Sequence, residues 1–165
     1  MDKQLEWVSD QEIAKLYPEM TVGFLACQCF CVAQSAKDWE SPWTVEMFEQ
    51  TILLPTTRFL FLFKDEMMIG FLIGRAVADE CDIYFVAVIQ SEQGKGYAKE
   101  MVRRFIVDQY DRDIRHFYLE VRVSNLPAQA VYHEWKFTID SRLKNYYHHP
   151  KEDAYKMSLH FSENE

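Results

Sequence analysis

At 165 residues the chain fits one domain able to bury its own core, and its 48% hydrophobic and 15% aromatic content exclude a disordered polypeptide. Its 18 basic and 26 acidic residues leave a net charge of −8, a field that repels nucleic acid and favours cationic partners such as a basic peptide or an amine. The longest apolar stretches, FLFLF and MMIGFLIG, are too short for a membrane span, and a start carrying Asp2, Lys3 and Glu6 has no secretory leader, so a cytoplasmic location is expected.

From the N-terminus, LEWVS predicts a short strand, and Ser9 or Asp10 a cap for a helix through QEIAKLY. A second helix, over residues 21–34, carries CQCFC. Cys27 and Cys31 share a helix face, but no second CxxC-type pair accompanies them, and His148 and His149 are too isolated to complete a site. No metal is expected, and Cys27, Cys29 and Cys31 read as reduced, buried or idle thiols. SPWTVEMFEQTI predicts a third helix, opened by Ser41, with Pro42 in its first turn and Val45, Phe48 and Ile52 at helical spacing.

Three strand-like runs follow, RFLFLFK, MMIGFLIGRAVA and CDIYFVAV. Turns at Asp65–Glu66 and Asp79–Glu80 join them into an antiparallel meander. After Val88 the polar loop IQSEQGKG leads into the helix YAKEMVRRFIVDQY, which sets Ala98, Met101, Val102, Phe105 and Ile106 on one face. In IRHFYLEVRV, alternation sets Phe117, Leu119, Val121 and Val123 against Tyr118, Glu120 and Arg122. SNLPAQAVYHEW is a helix capped by Ser124 or Asn125 with Pro127 in its first turn, and KFTIDSRL and DAYKMSLHF are strands flanking the loop KNYYHHPKE. The order predicts an α+β protein around one mixed sheet, a single domain over residues 1–165.

The stretch QGKGYAKEM is the chemically suggestive loop. A Walker loop needs Ser or Thr after its lysine, but Gly96 is followed by Tyr97; a GxGxxG fingerprint from Gly94 needs Gly or Ala at 99, where Lys99 stands. What remains is a glycine turn opening a helix, whose free N–H groups suit an anion such as a pyrophosphate. On this loop alone, a plain strand-to-helix turn with glycines at positive φ explains it slightly better.

Gln93, Gly96 and Ala98 spell [QR]-x-x-G-x-[GA], which resembles the acetyl-coenzyme A loop of the GNAT acetyltransferases, and Val86-Ala87-Val88 stands where that family's central strand ends. LEVRVSNLPAQAVYHEWKF, KNYYHHPKEDAYKM and SPWTVEMF resemble, in order, segments of its RimI-type ribosomal-protein-alanine N-acetyltransferases; the first 35 residues lie outside the resemblance. The likeness implies a three-layer GNAT fold, a mixed and mostly antiparallel central sheet flanked by helices. It also implies direct transfer of an acetyl group from acetyl-CoA to an amine, with no metal and no covalent intermediate.

Carried over by position, Glu120 matches the general base and Tyr132 the acid that protonates the departing thiolate. The backbone of Val86, Ala87 and Val88 would meet the pantetheine arm, with the Val88 N–H as oxyanion donor. Gln93, Gly94, Lys95, Gly96, Tyr97 and Ala98 would hold the pyrophosphate through their backbone, with Asn125 a further coenzyme contact. Trp43, Tyr146 and Tyr147 are candidates for a peptide groove. On the residues alone, Glu120 is an exposed strand carboxylate, and the aromatics are core packing.

The implied acceptor is a basic protein N-terminus, the N-terminal alanine of a small-subunit ribosomal protein. The alternatives are a small amine, a lysine side chain, or a non-catalytic acetyl-CoA-binding module. Lys136 in place of a common glycine, Phe85 in place of a polar residue and a loop less rich in arginine depart from the pattern, and bear on the acceptor more than on the coenzyme.

Overall fold

The computed structural model describes residues 4–36 and 42–162. In chain order these form β1 (Leu5–Ser9), α1 (Ile13–Leu16), α2 (Val22–Ser35), α3 (Val45–Leu53), β2 (Thr57–Lys64), β3 (Met67–Val77), β4 (Glu80–Val88), α4 (Tyr97–Asp111), β5 (His116–Arg122), α5 (Leu126–Glu134), β6 (Thr138–His148) and β7 (Lys151–His160). The strands make one seven-stranded sheet in the order β1-β2-β3-β4-β5-β7-β6, antiparallel throughout except for β4 beside β5.

β2 reads as an unbroken apolar run because both its faces are covered. Phe59, Phe61 and Phe63 pack on α2 and α3 with Leu25, Cys29, Val32 and Phe48, whereas Leu60 and Leu62 pack on the other side with Met101, Val102, Phe105 and Ile106 of α4. The α4 layer also covers Phe117, Leu119 and Val121 of β5 and Tyr132 of α5. Nothing from β5, β6 or β7 joins the α2–α3 core. Among the described residues, no helix therefore packs over the face carrying Tyr118 and Glu120.

Two strand irregularities shape the centre of the sheet. Ile73 pairs with Phe85 but Gly74 pairs with Ile83, so Tyr84 is an extra residue, a bulge that bends β4. Gly74 permits it: a Cβ there would stand 2.7 Å from the Asp82 carbonyl oxygen. The parallel pairing of β4 with β5 runs only from Glu80↔His116 to Ile83↔Leu119 and stops at the bulge. Beyond it the strands part, and a cleft opens between Tyr84–Val88 and Glu120–Arg122.

Several expectations are corrected. The first helix is a single turn at Ile13–Leu16 with no side-chain cap; Ser9 donates from both its N–H and its hydroxyl to Glu12, and Asp10 pairs with Arg112 at 3.0 Å. Thr44 caps α3, accepting from the Met47 N–H at 3.2 Å, so Pro42 precedes the helix, and Ser41 lies outside the described residues. The loop expected at residues 144–152 is mostly strand, β6 and β7 meeting at a His149–Pro150 turn. Two extra residues between Leu143 and Tyr147 form a wide bulge in β6, with Asn145 left-handed at φ 54 and its N–H held by Asp153 at 2.8 Å. Asparagine tolerates that backbone region, and a nearby acceptor makes the irregular strand stable.

Candidate active site

The glycine loop begins with a short 3-10 turn, Gln90–Glu92, directly after β4. Gly94 and Gly96 take positive φ of 75° and 83°, with no atom within 4 Å of where either Cβ would stand. Gly96 is the left-handed residue before α4, and no side chain caps the helix. The Gln93 N–H bonds the Gln90 carbonyl and the Glu100 N–H bonds that of Gly96; between them, the N–H groups of residues 94–99 find no acceptor among the described residues. Six successive donors thus stand without acceptors at the positive end of a 15-residue helix, a geometry that suits an anion.

The loop's side chains hold its shape. The Gln93 amide donates to the carbonyls of Val88 and Ala36, both at 2.9 Å, tying the loop to β4 and to the end of α2. Glu92 accepts from Lys64 at 2.6 Å and from Lys95 at 2.8 Å, and the two ammonium groups hold its carboxyl down at about 2. Lys95 is thus engaged with its own loop. Beside Gly96, a groove of about 350 Å³ runs between Lys99, Glu100 and Arg103 of α4 and Glu134 and Trp135 at the end of α5, bridged by a Lys99–Glu134 pair at 2.8 Å.

Upstream, β4 supplies the cleft wall. The Ile89 N–H bonds the Ile69 carbonyl at 2.9 Å, and peptide directions alternate along a strand. The N–H groups of Val86 and Val88 therefore point away from β3 into the parting, while that of Ala87 turns back. The Ala87 methyl is buried in the α2–α3 core, so of the three residues Val86 and Val88 are the ones whose N–H groups face the parting.

Across the parting, Glu120 is half-buried on the open face of the sheet, opposite Lys156 of β7. Its carboxyl is raised above the ordinary 4.5, first by burial and then by Asp82, against the opposing pull of Lys156. Tyr132 is 7% exposed, packs 5.7 Å from Phe137, and its hydroxyl has no hydrogen-bond partner among the described residues. Burial raises its phenol to about 12, so it keeps its proton across the neutral range. Asn125 caps α5 by accepting from the Ala128 N–H at 3.2 Å.

The β6 bulge brings Tyr146 and Tyr147 to the same place. Their rings meet edge to face at 5.0 Å, and both phenols are raised by burial first and by the charge of Glu120 among the lesser causes; Tyr147 also feels Tyr132. On the β4 side Trp43 stands 5.9 Å from Phe85 and 6.2 Å from Tyr84. Tyr146 and Tyr147 thus lie near enough to Glu120 to feel its charge, and Tyr147 near Tyr132. Sequence reading did not single out Tyr84, Arg122 or Glu152. Gly74, placed opposite a run of large residues, is the signal that points to a bulge at Tyr84.

The cysteines stand apart from this cleft. Cys27 and Cys31 are exposed on the outer side of α2; Cys29 is buried 3.9 Å from the Met68 sulfur, and burial pushes its thiol up. No three potential ligands gather into a metal-binding group among the described residues.

Residues 28–137 match the Acetyltransferase (GNAT) family. A Bacillus subtilis protein provisionally named as a ribosomal protein bS18-alanine N-acetyltransferase is 32% identical over 120 residues, 72% of this chain and 80% of the relative. The Haemophilus ducreyi ribosomal protein bS18-alanine N-acetyltransferase is 34% identical over 100 residues, 59% of this chain and 69% of its own. Among solved structures, the ribosomal-protein-S18-alanine N-acetyltransferase of Escherichia coli superposes with a TM-score of 0.81 at 23% identity, covering 98% of this chain and 99% of that one. The NatC complex bound to Gag peptide and CoA gives 0.75 at 20% identity, covering 96% and 99%.

Proposed function

The chain belongs to the GNAT acetyltransferase family and is an acetyl-CoA-dependent N-acetyltransferase, and from that premise we propose that its acceptor is the α-amine of a basic protein N-terminus, an N-terminal alanine on a ribosomal protein. The cleft where β4 leaves β5 carries this reading, because it sets a half-buried carboxylate and two tyrosines opposite a row of free backbone donors. The names of the relatives support the acceptor class, and a net charge of −8 suits a cationic chain.

An α-amine has a pKa near 7.7–8.0 and is mostly protonated at neutral pH, so it needs a base before it can attack. Glu120, its carboxyl raised by burial and so a stronger base than an exposed one, takes that proton directly or through water. As the amine adds to the thioester carbonyl, the Val88 N–H lies along the wall to receive the oxyanion. Tyr132 then hands its proton to the leaving sulfur as the C–S bond breaks, and regains one as the nitrogen sheds its second proton in becoming the amide. Burial keeps that proton on the phenol until negative charge develops on the sulfur. The backbone donors of residues 94–99 hold the coenzyme pyrophosphate, and Trp43, Tyr146 and Tyr147 line the acceptor side.

The test is free-thiol release from acetyl-CoA with a basic Ala-starting peptide, a lysine-bearing peptide blocked at its α-amine, and a small diamine. The reading expects kcat/KM highest for the first. Preference for either of the others moves the acceptor class, and release with none of them sinks the enzyme reading for amines altogether.

A further inference from the structure

Arg122 is a charged residue only 6% exposed, at the last position of β5, two residues beyond Glu120 on the same strand face. Its guanidinium donates to the Pro150 carbonyl at 2.8 Å and to that of His149 at 3.2 Å, both at the tip of the β6–β7 hairpin. Its plane covers the Tyr147 ring, with Cζ 4.1 Å from the centroid, and Glu152 stands 3.8 Å away. Glu152 in turn accepts from the Ser124 N–H at 3.0 Å and from the Ser124 hydroxyl at 2.7 Å. The Arg122 carbonyl itself receives the Asn125 N–H and the Gln129 amide, both at 3.0 Å. One residue therefore joins the end of β5, the start of α5 and the hairpin tip, the three elements that carry Glu120, Tyr132 and the tyrosine pair.

The tip needs such a tie. β6 is the sheet's edge strand, and its wide bulge leaves residues 144–146 out of the ladder with β7. Among the described residues no helix packs over that face, and Tyr147 rejoins the ladder, opposite Glu152, only beyond the bulge. A planar fork that reaches two carbonyls and stacks on a ring fixes it, and lysine, a point charge with no plane, cannot do all three at once.

We propose that Arg122 is a positioning residue of the acceptor site: it pins the β6–β7 tip to β5 so that Tyr146 and Tyr147 stand beside Glu120, and its loss weakens peptide binding without touching the coenzyme. The inference rests on the acceptor reading above. Its own logic is geometric: the bonds described for Arg122 run to the β6–β7 tip, to the Tyr147 ring and to the start of α5.

The experiment compares wild type, Arg122→Lys, Tyr147→Leu and the double variant in steady-state transfer to an Ala-starting peptide. Expected are a rise of about tenfold or more in peptide KM for each single variant, acetyl-CoA KM and kcat both close to wild type, and a double variant hardly worse than either single one. An unchanged peptide KM, a parallel rise in acetyl-CoA KM, or additive losses would overturn the proposal. If Arg122→Lys does not fold, Glu152→Gln, which loosens the guanidinium's ion pair and leaves Tyr147 in place, decides by the same KM split. If wild type transfers to no peptide, the acceptor reading has failed. The clamp is then judged by amide exchange: faster exchange at residues 145–149 in Arg122→Lys with α4 unchanged supports it, and identical exchange refutes it.

Discussion

Glu120 holds opposite demands. Its half-buried position raises the carboxyl pKa, which makes a better base, and the same burial makes its ionised form a burden on the fold. Because the folded-state pKa lies above the ordinary 4.5, the stabilising contribution belongs to the protonated form and is lost as pH rises through the folded value. Glu120→Gln should therefore melt higher than wild type at neutral pH, with the difference fading below pH 4.5, while turnover falls by about 100-fold. A scan of Tm against pH beside steady-state kinetics checks both, and a variant that is less stable at neutral pH contradicts the assignment of burial as the main cause. Tyr132→Phe keeps the ring against Phe137 and removes only the proton. It should lower kcat by about tenfold or more with acetyl-CoA affinity unchanged, as read by calorimetric titration of the coenzyme.

Among the elements, the glycine loop is the most legible in sequence and the hairpin the least. Gln93, Gly96 and Ala98 mark a strand–loop–helix junction by their spelling, and the two positive-φ glycines stand at its turn. What the spelling hides is that Gln93 acts as a tie, and that Lys95 is paired with Glu92. Such contacts depend on Lys64 and Ala36, far off in sequence. The meander β2–β3–β4 is equally plain from its apolar runs and short turns. The parting of β4 from β5 rests on one extra residue, Tyr84, which no periodicity reveals. Likewise NYYHHP has the composition of a loop, but Asp153 and Arg122 hold it as bulged strand. Gly96→Ala should put a Cβ on a backbone at φ 83° and strain the turn, weakening acetyl-CoA binding several-fold while the peptide KM stays put. Equilibrium dialysis with the coenzyme reads it; unchanged binding would mean the loop does not hold the anion. The Glu92 carboxyl, held at about 2 by Lys64 and Lys95, adds stability that is complete above the ordinary 4.5 and is lost as pH falls toward the lowered value, so Glu92→Gln should flatten that acid limb.

The whole molecule is a sheet covered unevenly. α4 and α5 close one face from β2 across to Met157 and Leu159 of β7, α2 and α3 close the other only as far as β4, and Glu120, Tyr146 and Tyr147 lie on the remainder, over which no described helix packs. A chain arriving at that face meets a protein of net charge −8. Raising ionic strength should therefore lower kcat/KM for a lysine-rich peptide more than for a neutral one of equal length, through slower encounter. The central claim is that this cleft acetylates an α-amine, and one measurement addresses it directly. An Ala-starting peptide with an internal lysine is incubated with acetyl-CoA and enzyme, alongside the same peptide formylated at its α-amine, and the acetyl group is located by tandem mass spectrometry. The account predicts acetyl on the alanine nitrogen of the free peptide and none on the blocked one; acetyl on the lysine of both, or on neither, would contradict it.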